Sequence, residues 1–361
     1  MRLAFLGLSA SGKTTLFNAL TGAHASVGTY SGAGTEIHIG RIDVADGRLD
    51  AVKRAFKPDK VTPAVVEVVD TPPLAVAAHE NREGNARLVA TLREAEGLVL
   101  VVRAFASSRV PHPRETVDPI RDLRELRTEL VVADLDVVEK RIERLRKDIK
   151  RGHPAPTDAK ELAALERCRA ELDAGRGVST AKLNPEEMKL VASFAFLTLK
   201  PILVVMNVGE ELLRGDVERT WGGGSFEGLT AIEVCSEWEM EVHDLPKSDW
   251  DAYLADLGIE EPCEARFVRS AYELMDVVTF FTCNENELRA WQLPRYSKAI
   301  DAAAAVHTDM ARGFIRAEVI AVKDLKTLGS VKAVRAEGKE RLEGKTGPVH
   351  DGDLIHFRFS V

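Results

Sequence analysis

Of 361 residues only four are cysteine, Cys168, Cys235, Cys263 and Cys283, and they stand far apart. No C-x-x-C pair and no neighbouring histidine at zinc-ligand spacing accompanies them, which excludes a disulfide framework and a zinc ribbon. They read as reduced, mostly buried thiols in a reducing compartment, the cytoplasm. Also missing is any apolar run near the roughly 18 residues of a membrane span, so no membrane contact is expected. Met1–Leu8 is too short for a secretory core, lacks a cleavage site, and reads as a strand. Nor is there a basic excess. With 49 basic and 57 acidic side chains the net charge is −8, which excludes an overall basic nucleic-acid wrapper but not a local basic face. Hydrophobic residues at 45% and charged residues at 29% exclude disorder and collagen-like architecture. At about 100–200 residues per domain the length suggests two or three domains, able to bury a core without staples.

Arg2–Gly7 predicts a buried strand and Thr14–Leu20 the helix after it. Val61–Asp70, Gly97–Arg103 and Pro201–Asn207 have the apolar, β-branched character of interior parallel strands, with helical patterns such as Glu83–Glu96 between them. That alternation predicts an α/β fold, a mostly parallel sheet covered by helices. After Asp118-Pro119 the spacing changes: Val131, Leu135, Val138, Ile142, Leu145 and Ile149 trace an a/d seam over about three heptads. Arg151–Asp158 is a turn-rich break, and Asp158 is expected to cap a second helix carrying Leu162, Leu165, Cys168 and Leu172. Because strands resume at Pro201, this is an antiparallel helical hairpin inserted within the α/β domain. Lys140, Arg141, Arg144, Arg146 and Lys147 lie on its other faces. They form either a solvated coiled-coil surface or a nucleic-acid or ribosome contact. Trp221–Ser225 is a glycine-rich loop before the strand Leu229–Cys235, and from Thr279 the chain turns to short strands. There Gly313–Val322 and Leu354–Val361 alternate at period 2, which predicts a small mixed β domain.

The strongest motif is Gly7-Leu-Ser-Ala-Ser-Gly12-Lys13-Thr14, which fits G-x-x-x-x-G-K-[ST] between a predicted strand and a predicted helix. Its glycines let backbone N–H groups close on phosphate oxygens, and the helix N-terminus adds positive potential. Ala10, Ser11, Gly12, Lys13, Thr14 and Thr15 are therefore candidate nucleotide-binding residues. Lys13 belongs against the β- and γ-phosphates as a candidate catalytic group, and the Thr14 hydroxyl on Mg²⁺. Asp70 ends an apolar strand, where it either helps hold the metal or caps a turn. On the base side the candidates are Asn207, Val208, Glu210 and Ser236. GTPases of this class carry an N-K-x-D run after such a strand, its Asp accepting from guanine N1–H and N2–H₂. Here Val208 replaces the Lys and the longer Glu210 the Asp. The case for guanine is weakened, and adenine is not thereby established.

At these residues the sequence resembles the Obg-like ATPase (YchF) family of translation-factor-related P-loop proteins. The resemblance runs through Gly12-Lys-Thr-Thr-Leu-Phe-Asn-Ala-Leu-Thr21, Val101-Val-Arg-Ala-Phe105, Val117-Asp-Pro119 and Asn207-Val-Gly-Glu210. It is densest at Glu287-Leu-Arg-Ala-Trp291, Gly313-Phe-Ile-Arg-Ala-Glu-Val-Ile320 and Asp351–Phe359. It implies a P-loop domain over 1–128 and 197–278, a helical hairpin over 129–196, and a C-terminal β-grasp TGS domain over 279–361. It also implies a cytoplasmic, ribosome-associated monomer that uses Mg²⁺ and prefers ATP to GTP. Leu74 falls where Ras-like enzymes place the water-orienting Gln. His112 falls on a histidine with a catalytic role, the alternative being a surface histidine between Pro111 and Pro113.

Three departures set this chain apart from the resemblance. Asp70-Thr-Pro-Pro73 replaces D-x-A-G, and Pro73 has no N–H to offer a γ-phosphate. Two prolines also stiffen a loop that has to switch with nucleotide state. Ala10 replaces an Asn and offers no side-chain ligand. The metal-ligating threonine of the first switch loop falls on Gly34, so Thr35, shifted by one, is the remaining metal candidate there. All three bear on hydrolysis rather than binding. The expectation is ATP binding with slow hydrolysis, the alternatives being a nucleotide-binding adaptor without significant hydrolysis or a GTP-specific switch. Asp134–Arg151 carries seven basic and five acidic side chains, and the region from Thr279 thirteen and eleven. A basic face on hairpin and C-terminal domain is thus compatible with an acidic chain, and ribosome or RNA is the expected partner.

Overall fold

The computed structural model describes residues 1–23, 25, 36–74, 82–152, 155–213, 225–243, 245–259 and 261–360. Thr35, Gly34 and most of the loops at 28–34 and 221–225 lie outside them. The chain divides into two compact units, one of residues 2–40 with 67–264, the other of Met1, 41–66 and 265–361.

The strands are β1 (Arg2–Leu6), β2 (His38–Asp43), β3 (Lys60–Thr62), β4 (Val65–Asp70), β5 (Gly97–Ala104), β6 (Ile202–Val208), β7 (Ser225–Phe226), β8 (Leu229–Val234), β9 (Val277–Cys283), β10 (Glu287–Pro294), β11 (Phe314–Ala321), β12 (Arg341–Glu343) and β13 (Asp353–Phe359). The larger sheet has the order β2-β4-β1-β5-β6-β8-β7. Pairing is parallel from β4 through β8, and β7 closes the edge antiparallel. Central strands β5 and β6 are buried almost throughout, as their unbroken apolar sequences require of a sheet covered on both faces. Helix α1 (Lys13–Thr21) follows β1, α2 (Arg48–Phe56) follows β2, and α3 (Arg82–Glu94) precedes β5.

The expected single strand Val61–Asp70 is two. Pro63 cannot donate to a ladder, and the run breaks there into β3 and β4. Strand β3 pairs parallel with β10 in the second sheet, so 41–66 folds with the C-terminal residues rather than with the first 128.

Helix α4 (Pro119–Lys150) is 32 residues long, about 48 Å at 1.5 Å per residue. Asp118 caps it by accepting the Arg121 N–H, and Pro119 occupies the first turn, where no N–H is needed. The helix is continuous across residue 129. Its first turns bury Leu123, Leu126 and Leu130 in the core of the larger sheet; its later turns bury Val138, Ile142 and Leu145 against α5 (Asp158–Asp173). The seam fades at Ile149, which is 36% exposed. Asp158 does not occupy the capping position, which falls to Thr157; its carboxylate instead accepts the Ala155 N–H in the turn before the helix. Arg141 grips Glu161 through two hydrogen bonds and Arg146 reaches Glu166, so part of the basic face bridges the two helices. Where the chain returns to the sheet, fully buried Asp134 accepts from the Leu197 and Thr198 N–H groups and the Thr198 hydroxyl, beside Arg93.

The second sheet is mixed, in the order β12-β11-β13-β9-β10-β3. Phe280, Phe314 and Phe357 fill its core on one face with Ala299, Ala302 and Ala303 of the helix Ala299–Val306, and on the other face buried Phe281 lies under Arg48 of α2, a mixed sheet as expected of a β-grasp domain. All four cysteines are free. No described helix is long and apolar enough to cross a membrane.

Candidate functional site

The loop between β1 and α1 depends on its two motif glycines. Gly12 has φ +84°, and a Cβ there would lie 1.9 Å from Asn207 Nδ2; one on Gly7 would meet the Val101 carbonyl at 2.7 Å. No side chain caps α1, so its first-turn N–H groups stay available to an anion. Ala10 is held at φ +62°, a left-handed conformation that costs an alanine about 1 kcal/mol. Ser11 is buried and Thr15 half-buried.

Register places Phe5 of β1 opposite Asp70, so the loop leaves β1 beside the carboxylate that ends β4. Thr14 Oγ1 donates to Asp70 Oδ2 at 2.7 Å, and Lys13 Nζ lies 3.8 Å from Asp70 Oδ1. Both ionic side chains are nearly inaccessible. Burial pushes the Lys13 ammonium below its usual range, against the pull of Asp70. Asp70 Oδ1, Ser11 Oγ and Ser236 Oγ are buried without hydrogen-bond partners. Such atoms cost about 1–3 kcal/mol each unless something pairs with them, and three near one phosphate loop are consistent with a site for an external ligand. A hydroxyl beside a carboxylate is also the oxygen donor set of a hard cation such as Mg²⁺.

The base-side candidates separate. Asn207 Nδ2 donates to the Ser11 carbonyl at 3.0 Å, and its Oδ1 accepts the Ser236 N–H at 3.2 Å. Its amide is therefore a strut between the phosphate loop and the turn opening the helix Ser236–Val242. Val208 packs into the core at 2% exposure, so its side chain is not brought to the site. Glu210 is exposed at the start of the helix Glu210–Leu213.

Beyond β4 the described residues 71–74 offer little to a γ-phosphate. Pro72 and Pro73 carry no N–H, and the Leu74 N–H is donated to the Gly7 carbonyl at 3.0 Å. The Leu74 side chain is buried among Leu6, Leu8 and Val69. His112 is not a surface histidine: its ring is 3% exposed. Nε2 faces Asp122 Oδ2 at 2.8 Å, and Nδ1 accepts the Arg114 N–H at 3.0 Å. Both nitrogens are thus engaged, with Arg121 on the other Asp122 oxygen.

Two residues were given no role from the sequence. Arg103, 2% exposed, donates to the carbonyls of Ala10, Phe105 and Val110 and lies 4.4 Å over the Phe105 ring, bracing the phosphate loop from β5. A lone arginine at the end of an apolar strand is the signal that could have found it. His38, the first residue of β2, lies 3.8 Å from Asp70 Oδ2. No motif marks it.

Comparison with known proteins identifies the family. Residues 2–140 match the family described as 50S ribosome-binding GTPase, and residues 277–360 match the YchF GTPase C-terminal family, described as a protein of unknown function (DUF933). The chain is 36% identical to the ribosome-binding ATPase YchF of Haemophilus influenzae over 100% of its length and 99% of that protein. It is 30% identical to Obg-like ATPase 1 of rice, over 100% of this chain and 92% of that one. The structure of the Schizosaccharomyces pombe YchF GTPase superposes with a TM-score of 0.81 at 26% identity, covering 99% of this chain and 97% of that one.

Proposed function

The chain belongs to the YchF family, and from that premise we propose that it binds a purine nucleotide with Mg²⁺, ATP rather than GTP, hydrolyses it slowly, and acts on the ribosome in the cytoplasm as a monomer. One observation carries the binding half: Lys13 and Thr14 of the phosphate loop converge on Asp70, and Asp70, Ser11 and Ser236 each keep a buried oxygen without a hydrogen-bond partner. Lys13 would neutralise the β- and γ-phosphates, and the amides opening α1 would hold their oxygens. Thr14 and Asp70 would hold the cation, which supplies further neutralisation of the transferring phosphoryl group when bound. The slow half rests on the described residues after Asp70, where Pro72 and Pro73 have no N–H and that of Leu74 is donated to the Gly7 carbonyl, so that none of these three serves a γ-phosphate. A catalytic part for His112 requires the ring to leave Asp122. The ribosome reading rests on the relatives, with hairpin and C-terminal domain as the contacting parts.

Titration with labelled ATP and GTP, followed by phosphate release, tests the nucleotide claims. ATP binding that Lys13→Ala weakens strongly, with turnover well below that of other YchF proteins, supports the reading; equal turnover sinks its slow half. Tight binding with no release at all would favour the adaptor that the two prolines also permit. Co-sedimentation with ribosomal subunits, with and without ATP, tests the partner, and absence from every ribosomal fraction rejects it.

A further inference from the structure

We propose that His38 gives the divalent-cation site of the phosphate loop a nitrogen ligand for first-row transition ions, which the site then accepts besides Mg²⁺. This deepens the nucleotide-binding reading and rests on it. His38 opens β2, the strand beside β4, whose last residue is Asp70. Its Nδ1 lies 3.8 Å from Asp70 Oδ2, the oxygen that also accepts the Thr14 hydroxyl. Nδ1 is buried and makes no hydrogen bond, although the ring as a whole is 29% exposed. Two ligands of one octahedral ion at about 2.1 Å stand about 3 Å apart when adjacent and about 4 Å when opposite. The His38–Asp70 separation falls between these values.

The fold holds the ring in this place. Gly40, two residues on and on the same face of β2, has no Cβ; one there would lie 2.8 Å from Phe17 and 2.5 Å from Thr21. Only glycine lets β2 close onto α1, which sets the His38 ring 6.2 Å from that of Phe17. Glu36 lies 3.9 Å from Nε2, the side on which a metal-bound imidazole keeps its proton. The donor set is then hydroxyl, carboxylate and imidazole. Mg²⁺ is served by oxygen alone, whereas imidazole suits the later first-row ions, whose affinities also rise along the series. A ligand from β2 also supplies what Gly34 cannot, having no side chain to coordinate with.

The test uses the full chain with ADP and two probe ions. Pulsed EPR of the Mn²⁺-loaded protein should show nitrogen hyperfine modulation from a coordinated imidazole, absent in His38→Asn. Calorimetric titration should find Co²⁺ affinity lowered at least about tenfold in His38→Asn, since losing a direct ligand costs no less than losing its outer partner, with Mg²⁺ affinity unchanged. If Mn²⁺ binds, is lost on Thr14→Ala, and shows no modulation that depends on His38, this inference falls and the nucleotide reading stands. If neither ion binds in the presence of ADP, both fall.

Discussion

Two strand ends meet at the phosphate site and differ in what they keep. Beyond β1, the loop Gly7–Thr14 retains both glycines, its lysine and its hydroxyl, and Asn207 and Arg103 brace it through the Ser11 and Ala10 carbonyls. Beyond β4, the stretch Thr71–Leu74 has two prolines, and its last N–H is spent on Gly7. Binding needs the first region and hydrolysis the second, because one supplies fixed ground-state contacts and the other a donor that matters as charge moves onto the transferring phosphoryl group. The proposed function thus assigns to two separate regions two properties that usually travel together.

The largest effect should come from Lys13→Ala. Losing a charge-assisted contact to phosphate should weaken nucleotide binding by about 2–3 kcal/mol, roughly a hundredfold, in a fluorescence or calorimetric titration. An unchanged affinity would mean that the first region does not hold phosphate. Next is Pro73→Gly, which returns a backbone N–H to the second region. Turnover should rise about tenfold, or about 1.4 kcal/mol off the barrier, with affinity unchanged. Higher affinity without faster phosphate release would contradict the division of labour. Smaller again is Ala10→Gly, which relieves the left-handed alanine at some cost in unfolded-state entropy. A net stabilisation of about 0.5 kcal/mol by denaturant titration is expected.

The first region was legible in the sequence because its chemistry is local: eight consecutive residues fix loop, donors and helix start. The hairpin was legible for a similar reason, its seam repeating along one helix. What escaped depends on neighbours remote in sequence. Val61–Asp70 reads as one apolar run, and only the competing partner β10 shows that Pro63 splits it between sheets. His112 between two prolines reads either as a catalytic or as a surface histidine, and only its contact with Asp122 on α4 shows that it is buried and engaged. His38 lies outside every motif, and its place beside Asp70 depends on Gly40 meeting Phe17. The Asp158 error is of another kind, a shift of one residue where either of two polar side chains could open the helix.

The far end of α1 gives the smallest effect and the finest probe of this helix. His243 Nε2 faces the Ala19 carbonyl at 2.6 Å and Glu264 at 3.0 Å, and its ring meets Trp250 edge-on at 5.1 Å. The hydrogen bond to Glu264 raises the imidazole pKa above its ordinary value, against the opposing effect of burial, and the Ala19 carbonyl adds to the rise. A raised folded pKa stabilises the protein fully below the unfolded value of about 6.5, and the contribution disappears as pH climbs through the folded value. The cation also lies at the C-terminal, negative end of α1, whose positive end serves the phosphate loop. His243→Gln should therefore lower the melting temperature more at about pH 5.5 than at about pH 8.5, by under about 1 kcal/mol, while nucleotide affinity holds. A difference that is flat with pH, or that grows as pH rises, would show that the charge does not stabilise the fold. A loss of nucleotide affinity would show instead that the two ends of α1 are coupled, and the separation between binding and hydrolysis would then have to be traced through the helix as well as through the two loops.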